Sequence, residues 1–144
     1  EKWQEASAEL EAITGQHPQF AGPWLNLGIA RLKLGKIDSA ETALKAAIQR
    51  NPNNPVAYNE LGILYRHSGR FEEALDMYQS ALQVAPEYTD TYWNMGILYD
   101  LYLPDAGLAL QYYERYQQMT GSDDRQLQTW IDTLRKQTQQ PVQG

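Results

Sequence analysis

Apolar and small residues recur along this chain at the three-and-four spacing of a helix face, and the pattern itself recurs every 34 residues. Within positions 55–88, one run extends from Tyr58 to Tyr65 and is interrupted by Ser68-Gly69, a typical helix end. A second run extends from Phe71 to Leu82 and stops before Pro86, which prevents further helix. The pattern therefore predicts a unit of two antiparallel helices.

Identical residues coincide when the chain is shifted by this period. They are Gly28, Gly62 and Gly96; Ile29, Ile63 and Ile97; Gly35 and Gly69; Ala40 and Ala74; Ala47 and Ala81; and Pro52 and Pro86. A fixed period of this length is typical of a repeat array, in which each unit packs on its neighbours. We expect the glycines and alanines where neighbouring helices approach closely.

The unit resembles the tetratricopeptide repeat family, whose pattern combines a bulky residue, Leu-Gly, an aromatic residue, small alanines and a proline. These positions are filled here by Tyr58, Leu61-Gly62, Tyr65, Ala74, Tyr78, Ala81 and Pro86. The preceding unit matches at Trp24, Leu27-Gly28, Ala40, Leu44, Ala47 and Pro52, with Arg31 in place of the aromatic residue. The resemblance implies an all-α fold, a right-handed α-solenoid of antiparallel helix hairpins.

We expect a single solenoid domain over residues 1–136. Its predicted parts are a half repeat over 1–20, repeats over 21–54, 55–88 and 89–122, a capping helix over 123–136, and then a disordered Gln-rich tail over 137–144. In the half repeat, Trp3 and Leu10 stand where Ile37 and Leu44 stand one period later. The sequence is therefore expected to be a fragment of a longer array or a processed protein, with an uncovered apolar face that pairs with another molecule.

The third repeat departs from the pattern between Leu101 and Asp105, where its alignment requires one inserted residue. Tyr116 then replaces the small residue of the earlier repeats, so we expect a different layer to follow, the C-terminal capping helix. Ser122 or Asp123 is expected to accept the free amide hydrogens at the start of that helix.

Composition limits the function classes. A net charge of −6 with 12 Lys and Arg argues against nucleic-acid binding, because phosphates require a basic stripe. No run of 18 apolar residues is present, so this segment is not expected to insert into a membrane. Without cysteine, neither a disulfide framework nor a thiolate metal site is expected. The Gln-rich composition suggests a bacterial protein, and analogy with pilus-assembly members of the family suggests a periplasmic or membrane-associated complex.

No residue pattern indicates catalysis. His17 and His67 are expected in structural or surface roles, since metal and catalytic sites need convergent partners. The acidic pairs Glu72-Glu73 and Asp123-Asp124 are typical of helix starts. The sequence has no glycine-rich phosphate loop and no nucleophile motif. We therefore expect no enzyme, no cofactor and no metal.

The tyrosines divide into two groups. Those on repeat positions that pack between helices are expected in the core, and they are Tyr58, Tyr65, Tyr78, Tyr92, Tyr99 and Tyr113. Trp93, Tyr102 and Tyr112 fall outside these positions and are expected to be better candidates for contacts with a partner.

The resemblance implies that partners bind a concave face lined by the first helix of each repeat. Carried onto this sequence, the peptide-binding groove comprises Leu25, Asn26, Ile29, Leu32, Lys33, Asn59, Glu60, Ile63, Arg66, His67, Trp93, Asn94, Ile97, Asp100 and Leu101. The isoleucines form a row of apolar anchors, and an asparagine amide both donates to and accepts from a peptide backbone. Alternatively, Asn is simply common there and the isoleucines partly support packing.

One ligand of the family is disfavoured. Relatives that hold the acidic tails of heat-shock chaperones use Lys, Asn and Arg, whereas the corresponding positions here are Leu25, Ile29, Glu60, Asp90 and Asn94. The sequence thus predicts a non-catalytic scaffold that binds an apolar or mildly basic protein segment in the groove and assists assembly of a complex. Two alternatives remain: a self-assembly module that forms homo-oligomers through the array ends or convex face, and an adaptor domain of a larger enzyme.

Overall fold

The computed structural model describes residues 1–139, which form helices and the turns between them. The helices are α1 (Lys2–Gln16), α2 (Ala21–Lys33), α3 (Ile37–Arg50), α4 (Pro55–His67), α5 (Phe71–Val84), α6 (Thr89–Ile97), a π-helical segment (Leu98–Tyr102), α7 (Ala106–Thr120) and α8 (Arg125–Gln139). The chain divides into two compact units, one ending at Ala85 and one beginning at Pro86. The single domain expected from the sequence stays a prediction.

Short glycine turns join the two helices of each repeat in the first unit. Gly35 and Gly69 have φ of 74° and 76°, the left-handed region that favours glycine. In both turns the amide that follows the glycine donates to a carbonyl in the last turn of the helix, as from Arg70 to Tyr65 at 2.8 Å. The sequence signal of a helix end at Ser68-Gly69 therefore has this physical basis.

In the first unit, α1 packs on α2, α2 on α3, α3 on α4 and α4 on α5. The glycines of the repeat pattern lie at the tightest contacts between these helices. A Cβ atom added to Gly28 would lie 2.6 Å from Leu44 Cδ2, and one added to Gly62 would lie 2.4 Å from Tyr78 Cε1. A glycine is therefore needed for the large side chain of the second helix to fit.

An ionic network joins the first repeat of this unit to the second. Glu41 of α3 accepts hydrogen bonds from Tyr65 Oη at 2.8 Å and Arg70 Nη1 at 3.0 Å, and it pairs with Lys45 Nζ at 2.9 Å. Burial raises the pKa of Glu41, but the hydrogen bonds from Lys45, Tyr65 and Arg70 outweigh it and lower the pKa to about 2.

In the second unit, α6 packs on α7 and α7 packs on α8. The π-helical segment accommodates the inserted residue that the alignment requires, with the Leu103 amide donating to the Leu98 carbonyl at 2.8 Å. The buried core of this unit consists of Ala109, Tyr113, Leu127, Ile131 and Leu134.

Two expectations about α8 are wrong. Its first turn is capped by Asp124, whose Oδ1 accepts from the Leu127 amide at 2.9 Å, so the cap is neither Ser122 nor Asp123. Ser122 instead accepts from the Asp124 amide at 3.2 Å, which fixes the turn before the helix. The helix extends through Gln139, so residues 137–139 are helical where a disordered tail was expected. Residues 140–144, the rest of that tail, lie outside the described residues.

Candidate protein-binding surface

The solvent-facing sides of α2 and α4 carry most of the predicted groove residues of the first unit. Asn26, Lys33 and His67 are exposed, whereas Glu60, Ile63 and Arg66 are half-buried. We call the following residues the first-helix surface: Asn26, Ile29, Lys33, Glu60, Ile63, Arg66 and His67. Because they recur at three-and-four spacing, they share one side of each helix, opposite the buried Leu27 and Leu61.

Ile29 and Ile63 are half-buried, so each presents part of an apolar side chain to solvent and packs with the rest. They stand one repeat apart on α2 and α4, two helices that contact each other. This arrangement supports both interpretations of the isoleucine row, because the same side chains contribute to packing and remain accessible.

Positive charge gathers where α2 and α4 end. The pKa of His67 is lowered by burial and then by the nearby charges of Arg66 and Lys33. Arg66 Nη2 lies 3.5 Å from His67 Nε2. The positive charges of Lys33 and Arg66 favour the neutral form of His67, so this end of the first-helix surface disfavours a further cation from a partner.

A cavity of about 450 Å³ opens between α1 and α2. Its lining residues are Trp3, Ala6, Glu9, Leu10, Ile13, Asn26, Ile29 and Ala30. Asn26 and Ile29 belong to the first-helix surface, so the cavity lies at one end of that surface. The residues of α1 were not predicted as groove residues, although their helical spacing had marked an uncovered face.

Three predicted groove residues occupy one repeat position that packs inside the fold. Leu25 and Asn59 are 9% and 2% exposed, and Trp93 of the second unit is half-buried. Each precedes a repeat glycine by three residues and therefore shares the helix side that faces the second helix. Asn94 is also buried, with 8% of its surface exposed.

The predicted groove residues of the second unit are largely engaged within it. The Trp93 ring lies 5.2 Å from the ring of Tyr116 and 5.6 Å from that of Trp130, and Ile97 packs on the core of the unit. Asp100 accepts a hydrogen bond from Tyr113 Oη at 3.3 Å. Leu101, in the π-helical segment, is 64% exposed.

The other two predicted contact aromatics differ from each other. Tyr102 is 40% exposed, whereas the Tyr112 ring stacks on Tyr99 with 5.8 Å between centroids.

Within residues 1–139 no group of three or more His, Asp or Glu side chains is placed to hold a metal ion, and no helix is long and apolar enough to cross a membrane.

Comparison with known proteins identifies the repeats of the first unit. A family model described as "Tetratricopeptide repeat" matches residues 25–89. Residues 25–89 carry tetratricopeptide repeats. A search of curated proteins finds no match to the chain.

Solved structures share the fold of this tetratricopeptide array at low sequence identity. MamA superposes with a TM-score of 0.83 at 20% identity, covering 94% of this chain and 78% of MamA. YrrB, described as a TPR protein with an unusual peptide-binding site, has a TM-score of 0.80 at 19% identity, covering 90% of this chain and 66% of YrrB. The first TPR of Spaghetti (RPAP3), bound to the HSP90 peptide SRMEEVD, has a TM-score of 0.76 at 20% identity and coverages of 85% and 95%. The predicted fold class, an all-α tetratricopeptide solenoid, is confirmed.

The tetratricopeptide pattern also recurs in the hydrogen bonds that hold each first helix. Trp24 Nε1 donates to the Pro18 carbonyl at 2.9 Å, and Tyr58 Oη donates to the Pro52 carbonyl at the same distance. Tyr92 donates to Pro86 in the same way. The bulky residue of the pattern is therefore half-buried and tied to the preceding turn.

Proposed function

We propose that this chain is a non-catalytic scaffold that binds an apolar protein segment on the first-helix surface. The observation that carries the proposal is the pair Ile29 and Ile63, half-buried and one repeat apart on neighbouring helices, among polar side chains that are open to solvent. Apolar side chains at such spacing suit the anchors of a peptide that crosses both helices. Tetratricopeptide proteins generally act as scaffolds without catalysis, which supports the same function.

The charges around these anchors refine the expected partner. Lys33, Arg66 and His67 gather at one end of the surface, where a neutral or acidic residue of the partner fits. Glu60 is half-buried on the same surface and Glu9 lines the cavity at its other end, where a basic residue fits. A segment with apolar anchors and an ordered change of charge along its length matches both ends, whereas a uniformly basic segment does not.

Two fold relatives, YrrB and the Spaghetti domain, bind peptides according to their descriptions. At 19% and 20% identity they share the fold with this chain, and their ligands are not transferred to it. The assembly of a complex around the bound segment is part of the proposal, and its partner is defined by chemistry alone.

The test replaces an anchor and measures capture of partners. Ile63→Asp places a charge at one of the two anchors, and we expect the binding free energy of a genuine partner to weaken by about 1–3 kcal/mol. Wild type, Ile63→Asp and a control, Val84→Asp on α5, are immobilised, and proteins captured from the source organism are compared by quantitative mass spectrometry. Val84 is 36% exposed and lies outside the first-helix surface.

Partners that wild type and Val84→Asp retain, and Ile63→Asp loses, support the proposal. If wild type, Ile63→Asp and Val84→Asp capture identical sets of proteins, the first-helix surface is not the binding site. Sedimentation of wild type over a range of concentrations addresses the alternative, because a self-assembly module forms oligomers that persist in Ile63→Asp. An adaptor role within a larger enzyme stays a prediction.

A further inference from the structure

Another cavity of the first unit lies on the side of α4 opposite the first-helix surface. It has a volume of about 200 Å³ and opens between α3, α4 and α5. Its lining residues are Lys45, Ile48, Tyr58, Leu61, Tyr65 and Met77. Three of them recur at three-and-four spacing and share one side of α4, whereas Ile63 lies on the other side of that helix.

The cavity has an equivalent place in the third repeat. Tyr92 and Tyr99 stand one period after the two tyrosines that line the cavity. With the inserted residue counted, Tyr112 of α7 is the counterpart of Met77 of α5. The next residue in each of these two helices is a tyrosine that would touch a Cβ atom added to the repeat glycine, so the correspondence holds in the structure as well.

In the third repeat an aromatic ring occupies this place. The Tyr112 ring stacks on Tyr99 with 5.8 Å between centroids and an interplanar angle of 17°, and its centroid lies 6.2 Å from that of Tyr92. Aromatic rings at such distances attract one another beyond the effect of area burial. In the second repeat the equivalent side chain, Met77, has no ring, and a cavity lies beside it.

We propose that this cavity binds one uncharged aromatic ring, either of a free phenol-like compound or of a tyrosine side chain in a peptide. The ring takes the place that Tyr112 occupies in the third repeat, with Tyr58 and Tyr65 as its aromatic neighbours. Pockets that bury a drug-sized ligand typically measure about 300–1,000 Å³, so this smaller cavity suits a single ring. The Met77 sulfur favours the same ligand, because thioethers make favourable contacts with aromatic rings.

The charges at the rim indicate that the ring is uncharged. Lys45 is the charged residue of the lining, and its Nζ lies 2.9 Å from Oε2 of Glu41. Glu41 also pairs with Arg70, which in turn pairs with Glu73, so two cations and two anions balance one another. A carboxylate on the ligand would compete with Glu41 for Lys45, and a cation would be repelled by Lys45.

The inference does not rest on the function proposed above. The cavity and the first-helix surface share no residue and lie on opposite sides of α4. Failure of either site therefore leaves the other untouched.

Methyl NMR of the intact protein detects a bound ring directly. Ile48 and Met77 line the cavity, so their labelled methyl groups report on it, and Ile63 on the opposite side of α4 is the control reporter. One probe is p-cresol, a free ring, and another is N-acetyltyrosinamide, which presents the same ring as a side chain. A third probe, 4-methylbenzoate, carries a carboxylate on the ring.

We expect p-cresol to shift the Ile48 and Met77 methyl resonances saturably, with a dissociation constant on the order of 1 mM, and to leave that of Ile63 in place. N-acetyltyrosinamide distinguishes the two sources of the ring. Binding as tight as that of p-cresol indicates a side chain, and weaker binding indicates a free compound. The dissociation constant of 4-methylbenzoate should be at least about threefold higher than that of p-cresol.

Two substitutions alter the cavity itself. Met77→Tyr fills it with the residue of the third repeat, and we expect this variant to lose the shift at Ile48. Tyr58→Leu removes one aromatic neighbour and should weaken binding of p-cresol at least about threefold. Val84→Asp, at an exposed residue outside the cavity, should bind as wild type does, and each variant is first shown to melt cooperatively.

Three outcomes would overturn the inference. The first is no saturable shift at Ile48 and Met77 with either p-cresol or N-acetyltyrosinamide. The second is undiminished binding in either Met77→Tyr or Tyr58→Leu. The third is tighter binding of 4-methylbenzoate than of p-cresol, because the site then selects an anion.

Discussion

At the residue scale, two polar side chains of the first unit, one half-buried and one fully buried, have opposite energetic roles. Glu41 is only 16% exposed, and its charge is compensated by Lys45, Tyr65 and Arg70. Tyr78 is fully buried, and its hydroxyl has no hydrogen-bond partner among the described residues. A half-buried charge that is compensated becomes costly when its partners are removed, whereas a buried hydroxyl without a hydrogen-bond partner is costly as it stands.

Glu41 links stability to pH. Because its pKa is lowered from 4.5 to about 2 in the fold, it stabilises the folded state above about pH 4.5, and this contribution is lost as the pH falls towards 2. We expect Glu41→Gln to lower the free energy of unfolding near neutral pH by about 1–3 kcal/mol. Urea unfolding at several pH values measures this difference, which should shrink as the solution is acidified.

The control for this prediction is Glu72→Gln, which neutralises an exposed glutamate of α5 and should change stability little. A difference between wild type and Glu41→Gln that stays constant down to about pH 2 would contradict the role of the carboxylate charge.

Tyr78 has a counterpart in the second unit that explains its hydroxyl. Tyr113 donates to Asp100 at 3.3 Å, whereas the equivalent position in the earlier repeat is Arg66, whose guanidinium group contains no atom that could accept from the Tyr78 hydroxyl. We expect Tyr78→Phe to raise the free energy of unfolding by about 1 kcal/mol and Tyr113→Phe to lower it by about 0.5–1.5 kcal/mol. Chemical denaturation of both variants provides the measurement. Destabilisation by Tyr78→Phe would show that its hydroxyl makes a stabilising hydrogen bond.

At the element scale, α8 closes the core of the second unit. Its side chains Leu127 and Ile131 are fully buried, and Trp130 packs against Trp93. The helix start depends on Asp124, which accepts from the Leu127 amide in the first turn. Arrays of repeats need such a terminal helix because the last repeat otherwise exposes its core.

Removal of this cap should loosen α8 without disturbing the repeats of the first unit. We expect Asp124→Ala to destabilise α8 by about 0.5–2 kcal/mol, because an amide at the helix start loses its acceptor. Amide hydrogen exchange across α8 is the measurement, with Asp123→Ala as a matched control at the neighbouring exposed carboxylate. Equal protection of α8 in wild type and Asp124→Ala would contradict the assignment of the cap.

At the scale of the whole molecule, function depends on which sides of the helices remain uncovered. In the first unit, the first-helix surface and the cavity beside α1 are open, and the proposed binding surface lies there. In the second unit, Trp93 and Ile97 pack against the core of that unit, so its first helix offers fewer side chains to a partner. Although the net charge of the chain is −6, two cations, Lys33 and Arg66, lie close to His67.

The sequence alone determined the repeat, the helix pairs and the close contacts at glycine. These follow from local rules: helical periodicity places apolar residues on one side, and Gly and Pro end helices. It also located the inserted residue near Leu101 and the uncovered side of α1, because both appear as departures from a regular period. Ile29 and Ile63 were placed in the predicted groove by the family resemblance, and their spacing of one repeat marked them as a row.

Only the tertiary structure decided which side of each first helix a given residue faces and what covers it. Leu25, Asn59 and Trp93 share a helix side with the repeat glycines, and the second helix buries that side; family analogy had placed them in the groove. The cap at Asp124 and the unpaired hydroxyl of Tyr78 likewise depend on atoms brought together by packing. Periodicity in a sequence specifies neighbours along a helix, whereas exposure is set by elements that pack from outside it.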